Sequence, residues 1–220
     1  MIYIVAALTS AALTAWATWK QNRGLEFIAK PAVMILLLIY LWTSTGLQGA
    51  ALWFGLGILF SLTGDVLLLW LDRMFLYGLA AFLLAQICYV IGFNSPSSPF
   101  TAWSAIMAIL IGWGSARVLR RILSALREKW NTRVRIPVTV YGIVITLMLL
   151  SAMLKLADTS WDANASLLVA AGAFLFYLSD IVLAWLKFVT PIQNGRMINI
   201  GLYHLGQIAL IAGVVMQYRI

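Results

Sequence analysis

Charged residues are scarce in this chain, where they make up 10% of 220 residues, against about 25% in soluble domains. Hydrophobic residues account for 63%, and the mean hydropathy is +0.96. These values exclude a soluble domain, a disordered chain and a nucleic-acid-binding module. The single cysteine, Cys88, excludes a disulfide within the chain and a cysteine-based metal site. The composition is that of an integral membrane protein.

Eight apolar segments have, or nearly have, the length of about 20 residues that a helix needs to cross a bilayer. We therefore predict an all-α polytopic membrane protein with eight transmembrane helices in one integral membrane domain, residues 1–220. Lys30-Pro31 is the predicted start of the second helix, since proline suits a first helical turn. No proline falls in the middle of a segment. The predicted spans are 2–19, 31–46, 49–70, 75–93, 100–119, 136–154, 164–187 and 197–217.

Basic residues are concentrated in alternate loops. Thirteen of the 15 Lys and Arg residues fall in the loops between spans 1 and 2, 3 and 4, 5 and 6, and 7 and 8, or within the last three residues of the spans that enter these loops. Because positively charged loops stay in the cytoplasm, we predict that these loops are cytoplasmic and that both termini lie outside. The host membrane is predicted to be the cell (inner) membrane. The net charge of +8 therefore reflects topology, and no nucleic-acid partner is predicted.

This orientation can be tested with reporter fusions. A fusion after Ser97 is expected to report an outside location, because four predicted spans precede it. A fusion after Arg127 is expected to report a cytoplasmic location, because five spans precede it. The activity of each reporter in intact cells is the measurement. Two fusions that report the same side of the membrane would contradict the predicted number of spans.

Two segments, 60–70 and 175–185, share a short motif. In each, an Asp is followed by Leu three residues later and by Trp five residues later, and the next helix carries a Gln. Four helices separate the copies, so both run in the same direction across the membrane. We therefore predict a parallel four-plus-four repeat, with approximate halves 1–94 and 100–220, rather than the inverted repeat common in secondary transporters.

Ionisable residues inside the predicted spans are few, and such residues are costly to place in lipid and are commonly functional. Asp65 and Asp180 lie at nearly the same depth, about 8–10 Å inside the cytoplasmic boundary by helical rise. We predict that they form a catalytic pair within about 10 Å of each other, facing one cavity. Further polar groups at similar depth are predicted to bind substrate: Lys30, Ser61, Gln86, Tyr89, Tyr177, Tyr203, His204 and Gln207.

Two carboxyl groups in an apolar setting suit proton transfer, one as acid and one as base, and the residues leave the order open. Lys30 suits a phosphate as a point charge. No metal is predicted, because the one histidine has no second histidine or cysteine at ligand spacing. No cofactor is predicted either. A proton- or ion-coupled transporter using the two aspartates and a non-catalytic lipid-binding membrane protein are the alternatives.

Several stretches, in their order and spacing, resemble the YhhN family of membrane proteins, which includes the TMEM86 lysoplasmalogenases. The family commonly has His where this chain has Gln86, and Gln cannot titrate near neutral pH. The stretches are Lys30-Pro31, 60–65 (FSLTGD), 75–82 (FLYGLAAF) with Ala85-Gln86 and Tyr89, 172–180 (GAFLFYLSD) and 203–207 (YHLGQ).

This resemblance implies hydrolysis of the vinyl ether bond of lysoplasmalogen or a related ether lysolipid, giving a fatty aldehyde and a glycerophospho-headgroup. The implied partners are this lysophospholipid and the surrounding membrane lipids, with the headgroup near the basic side. Vinyl ethers hydrolyse through protonation at carbon and attack by water. A carboxylic acid and a carboxylate in the inner half of the bundle suit that chemistry.

Overall fold

The computed structural model describes residues 2–69, 71–96, 101–129 and 134–220, and these ranges contain eight long helices and no strand. All eight helices are long and apolar enough to cross a membrane, which confirms the predicted fold class. A 3-10 turn, Lys155–Ala157, follows the sixth helix. The helices are α1 (Ile2–Trp19), α2 (Arg23–Thr45), α3 (Ala50–Leu68), α4 (Leu71–Phe93), α5 (Ala102–Lys129), α6 (Arg135–Leu154), α7 (Ala163–Phe188) and α8 (Gly195–Tyr218).

The second helix begins earlier than predicted. It starts at Arg23 rather than at Pro31, so Pro31 lies inside α2 and the expectation that no proline interrupts a span is wrong. The Asn22 side chain caps the helix by accepting a hydrogen bond from the Leu25 backbone N–H at 3.2 Å. This cap sets the start. The extra turns place Glu26 and Lys30, four residues apart, on one face of α2.

The fifth helix is longer than predicted, ending at Lys129 rather than at residue 119. Its added turns are held by a small apolar cluster, in which Ile122 and Leu126 pack with Val138 of α6 and Phe188 of α7. Several arginines that were predicted to lie in a loop are therefore helical, and the Arg117 guanidinium lies 3.7 Å from the centroid of the Trp113 ring. The loop residue Arg133 lies outside the described residues.

Glycines allow the closest helix pairs to approach. The α3–α4 and α7–α8 pairs have the most extensive contacts between described helices. A methyl group on Gly172 would lie 2.4 Å from the Leu210 backbone nitrogen, and one on Gly206 would lie 2.8 Å from the Phe176 nitrogen. Small residues at such crossings are typical of membrane helices. These two pairs occupy equivalent places in the predicted repeat, which stays a prediction.

The two ends of the bundle differ in chemistry. Arg23, at the start of α2, and Arg196, at the start of α8, line the same two cavities, so the α1–α2 and α7–α8 loops lie at one end. We call this end the basic end. At the opposite end, Trp161 packs against Phe93 and Tyr218, the last residues of α4 and α8. This placement agrees with helices that alternate in direction, as successive spans must. The cytoplasmic assignment of the basic end stays a prediction.

Candidate active site

Asp65 lies inside the bundle between three helices, with 1% of its surface exposed. One carboxylate oxygen is 3.0 Å from the ammonium of Lys30, which is also buried. The other accepts a hydrogen bond of 2.8 Å from the hydroxyl of Tyr203, which also lies 3.5 Å from the Met34 sulfur. A cation and a hydroxyl donor both favour the ionised form of a carboxyl group. The structure thus brings together three of the predicted site residues.

Asp180 has different surroundings. The hydroxyl of Tyr141, on α6, donates a hydrogen bond to its Oδ2 atom. Within the described ranges, no ion pair involves Asp180. Asp180 borders two small cavities that are mainly apolar. One of them is also lined by Tyr177, whose hydroxyl donates to Ser115 at 2.7 Å. Of the two predicted catalytic residues, Asp65 therefore has a cationic partner, and Asp180 has none within the described ranges.

The Phe82 ring lies between the surroundings of the two aspartates. It packs against Gly64, next to Asp65 in the chain, and edge-on to the Tyr203 ring with centroids 5.7 Å apart. It also lines one of the cavities beside Asp180. Phe82 thus links the surroundings of the two aspartates. Their separation of about 10 Å or less stays a prediction.

A second polar cluster lies one helical turn from Asp65. The amide of Gln207 accepts a hydrogen bond of 2.9 Å from the Tyr89 hydroxyl and donates one of 3.1 Å to Ser61. These three predicted substrate-binding residues are buried, and their polar groups satisfy one another. Hydrogen bonds of this kind join membrane helices. The cluster therefore joins α8 to α3 and α4, and its polar groups form hydrogen bonds with one another.

Two predicted site residues are buried without such partners. Both ring nitrogens of His204 and both polar atoms of the Gln86 amide make no hydrogen bond, although neither side chain is exposed. The His204 ring centroid is 5.2 Å from that of Tyr203. Unpaired polar groups in an interior are costly, and neither side chain lines one of the cavities described below.

A cavity of about 570 Å³ with Lys30 in its wall opens at the basic end, and this volume is within the size range of ligand-binding cavities. We call it the basic-end cavity. Leu68 and Leu183 line both this cavity and the smaller one beside Asp180. A polar compartment therefore adjoins an apolar one. The lining consists of Arg23, Glu26, Phe27, Lys30, Leu68, Leu69, Leu183, Leu186, Lys187, Pro191, Arg196, Asn199 and Ile200.

Comparison with known proteins places this arrangement in a family. The sequence pattern of the YhhN family matches residues 25–214, which include both aspartates and the residues that contact them. The chain belongs to the YhhN family. This finding confirms the resemblance recognised in the sequence. No solved structure matches the chain.

Proteins named as lysoplasmalogenases are similar to this YhhN-family chain over much of its length. Lysoplasmalogenase TMEM86B of Mus musculus is 28% identical over 198 residues, which cover 89% of this chain and 78% of that protein. The Homo sapiens TMEM86B is 26% identical over 196 residues, covering 89% and 77%. A lysoplasmalogenase of Mycobacterium bovis is 32% identical over 148 residues, covering 64% and 54%.

Sequence reasoning missed the partners that distinguish the two aspartates. Tyr141 lies in a predicted span that has no charged residue, and its contact with Asp180 depends on how α6 packs against α7. Glu26 was overlooked because the second helix was predicted to begin after it. Its carboxylate accepts a hydrogen bond of 2.9 Å from Arg196. An N-cap asparagine three residues before Leu25 was the signal that could have revealed the earlier helix start.

Gln86 offers a direct test at the position where the family commonly has His. Gln86→His is expected to fold and to leave the catalytic rate unchanged or increased, because the Gln86 amide makes no hydrogen bond that the substitution would break. Melting temperature and rate of substrate turnover in detergent are the measurements. A loss of more than about tenfold in rate with an unchanged melting temperature, a difference of about 1.4 kcal/mol in barrier, would show that the Gln86 amide itself is needed.

Proposed function

We propose that this protein is a membrane hydrolase that cleaves the vinyl ether bond of a lysoplasmalogen or a related ether lysolipid. The observation that carries the proposal is a pair of unlike carboxyl groups: Asp65 pairs with Lys30 in the wall of the basic-end cavity, and Asp180 lines the adjoining apolar cavity with no cationic partner among the described residues. The relatives named as lysoplasmalogenases support the substrate class. The products are a fatty aldehyde and a glycerophospho-headgroup.

The roles of the two aspartates follow from their neighbours. Lys30 and Tyr203 stabilise negative charge on Asp65, so Asp65 acts as the carboxylate. Asp180, which has a hydroxyl donor and apolar walls but no cation among the described residues, acts as the carboxylic acid. The Tyr141 hydroxyl donates a hydrogen bond to Oδ2 of Asp180, so Oδ1 of Asp180 carries the proton. Two carboxyl groups made unlike by their environments are a recurring arrangement for acid–base catalysis.

The reaction begins when Asp180 donates its proton to the vinyl carbon that is not bonded to the ether oxygen. The double-bond electrons form the new C–H bond, and the ether oxygen stabilises the resulting cation. Water adds to the cationic carbon and passes a proton to Asp65. The hemiacetal then breaks its bond to the glycerol oxygen, which takes the proton held by Asp65, while the hemiacetal hydroxyl gives its proton to Asp180 and becomes the aldehyde carbonyl. The charge of Asp65 stabilises the cation between the two steps.

The cavities provide a place for each part of the lipid. The basic-end cavity, with Lys30 in its wall, accommodates the glycerophospho-headgroup. The alkenyl chain passes Leu68 and Leu183 towards the apolar cavity beside Asp180. That cavity is about 50 Å³, so it holds only the start of the chain, and the rest extends towards the surrounding lipid. The vinyl ether, which lies between headgroup and chain, is thereby placed near both aspartates.

The test is incubation of the purified protein with lysoplasmalogens, followed by mass spectrometry of the products. Release of fatty aldehyde and glycerophospho-headgroup in equal amounts is expected, and the matching lysolipid with a saturated ether bond should stay intact. If no aldehyde is released for any headgroup, and proton flux into liposomes depends on Asp65, the protein is a transporter rather than a hydrolase.

Tyr141→Phe tests the hydroxyl that orients the proposed acid. Its removal is expected to lower kcat about tenfold with little change in KM, the effect of one hydrogen bond to a catalytic group. Tyr218→Phe is the matched control, because Tyr218 packs on Trp161 at the opposite end of the bundle, and its kinetics should equal those of the wild type. Equal kinetics for Tyr141→Phe would show that this hydroxyl has no part in the reaction.

A further inference from the structure

The last turns of α5 carry basic side chains that the proposed reaction does not use. Three exposed arginines fall within an arc of about 120° around the helix axis at 3.6 residues per turn. The opposite side of the same turns carries Ile122 and Leu126, which pack with Val138 of α6 and Phe188 of α7. These turns are therefore amphipathic, and we call their exposed side the arginine face: Arg120, Arg121 and Arg127.

The arginine face has no counter-charge within the described part of the chain. None of its guanidinium groups forms an ion pair with a described carboxylate. Arg120 instead donates a hydrogen bond of 3.2 Å to the Ala116 carbonyl oxygen of its own helix. A further cation, Arg117, whose guanidinium lies on the Trp113 ring, precedes Arg120 by three residues and Arg121 by four. Like charges at this spacing destabilise a helix, so an anion from outside the chain would stabilise this one.

We propose that the arginine face is a binding site for anionic phospholipids, whose phosphodiester headgroup carries a net negative charge. Guanidinium groups bind phosphate oxygens through paired, charge-assisted hydrogen bonds. Clusters of basic residues on a helix beside a membrane attract anionic lipids in this way. The inference does not depend on the proposed function, because this lipid is bound and not cleaved.

The position of the arginine face along α5 matches the level of lipid headgroups. The predicted span 100–119 has a length of about 30 Å, which equals the thickness of the hydrocarbon core of a bilayer. Arg120 and Arg121 are the first two residues beyond this span. Arg127 lies about 9 Å farther along the helix, towards the outer surface of the headgroup layer. The three guanidinium groups are therefore placed where phosphates are concentrated.

The place of α5 in the bundle leaves the arginine face open to lipid. This helix is the least buried of the eight described helices, so it lies at the edge of the bundle. Its other side lines the apolar cavity beside Asp180 through Val118, Leu119 and Ile122. The lipid on the arginine face is therefore a different molecule from the substrate. It contacts, from outside, a helix that forms one wall of that cavity.

The test measures how tightly the purified protein binds phosphatidylglycerol in micelles of an uncharged detergent. Lipid that stays with the protein through gel filtration is measured by mass spectrometry, with phosphatidylcholine as the reference. Much less phosphatidylglycerol than phosphatidylcholine is expected to half-saturate the wild type, and high salt should remove the difference. A double variant, Arg120→Gln with Arg127→Gln, should need at least about tenfold more phosphatidylglycerol, since each basic residue at an anionic surface contributes about fivefold in affinity.

Two matched variants separate a site from a general effect of charge. Arg120→Lys with Arg127→Lys keeps both charges and should bind nearly as tightly as the wild type. Lys20→Gln with Arg219→Gln removes two exposed charges elsewhere and should also leave binding unchanged. Because a micelle has no inside and outside, the influence of these residues on topology does not enter the measurement.

Three results would overturn the inference. The first is unchanged phosphatidylglycerol binding by the double Arg→Gln variant, with a melting temperature that shows it to be folded. The second is an equal loss of binding in the Lys20→Gln, Arg219→Gln variant, which would mean that net charge alone attracts the lipid. The third is displacement of the lipid by soluble glycerol phosphate, which would mean that the arginine face binds free phosphate esters. None of these results bears on hydrolysis, so the proposed function stands or falls separately.

Discussion

Asp180→Asn is expected to lower the rate of aldehyde release at least about 100-fold, the usual scale for loss of a general acid. The substitution keeps the size of the side chain and an oxygen that can accept the Tyr141 hydrogen bond, but it removes the proton that the reaction requires. The protein should therefore stay folded, with a melting temperature in detergent close to that of the wild type. The kcat should fall while KM changes little.

Asp65→Asn is expected to cause a similar loss of rate for a different reason. The neutral amide stabilises a developing cation less well, and it leaves the buried Lys30 without its counter-charge. Some loss of stability should accompany the loss of rate, so the melting temperature is measured beside the kinetics.

Asp162→Asn is the control for both variants. Asp162 caps α7 through hydrogen bonds to the Asn164 and Ala165 N–H groups, and asparagine caps helices equally well. This variant should match the wild type in both measurements. If Asp65→Asn and Asp180→Asn also retain the wild-type rate, neither residue is part of the catalytic machinery.

Gly206→Ala is expected to disrupt the α7–α8 crossing. The added methyl group would lie 2.8 Å from the Phe176 backbone nitrogen and 2.9 Å from the Gly172 carbonyl oxygen. Backbone atoms cannot turn aside as a flexible side chain can, so the two helices must move apart. Overpacking of this kind costs about 1–3 kcal/mol or more. The melting temperature in detergent should fall by about 5 °C or more, and the yield of folded protein should fall with it.

Gly201→Ala is the matched control on the same helix. No atom lies within 4 Å of the methyl group that this substitution would add. Alanine is also the better helix former by about 1 kcal/mol, so the melting temperature should stay the same or rise. Equal destabilisation by both substitutions would mean that the loss does not arise from a close approach of α7 and α8 at Gly206.

Much of the fold could be predicted because the bilayer constrains it strongly. Length and hydropathy indicate eight spans, and eight helices of that kind are present. The boundaries that went wrong depend on local details. Lys30-Pro31 was predicted to start α2, whereas the residue that caps the helix, Asn22, lies eight residues before Lys30. The end of α5 is polar in sequence but is stabilised by packing of Ile122 and Leu126 on other helices.

The site could be predicted only in part. Depth and helix face pointed to Asp65, Lys30 and Tyr203, which contact one another in the structure. The contact between Asp180 and Tyr141 joins residues 39 positions apart on separate helices, and spacing along the chain carries no information about it. The difference between the two aspartates therefore became visible only with the packing of the bundle. It is this difference that suggests which one is the acid.

The central claim, that a carboxylic acid protonates the vinyl carbon, is tested most directly by running the reaction in heavy water. The aldehyde should then carry one deuterium on the carbon next to the carbonyl, seen as a mass increase of one unit, and Asp180→Asn should form almost none of it. A control with unlabelled aldehyde in the same buffer corrects for exchange of that hydrogen. An aldehyde released by the enzyme without deuterium at this carbon would contradict the account.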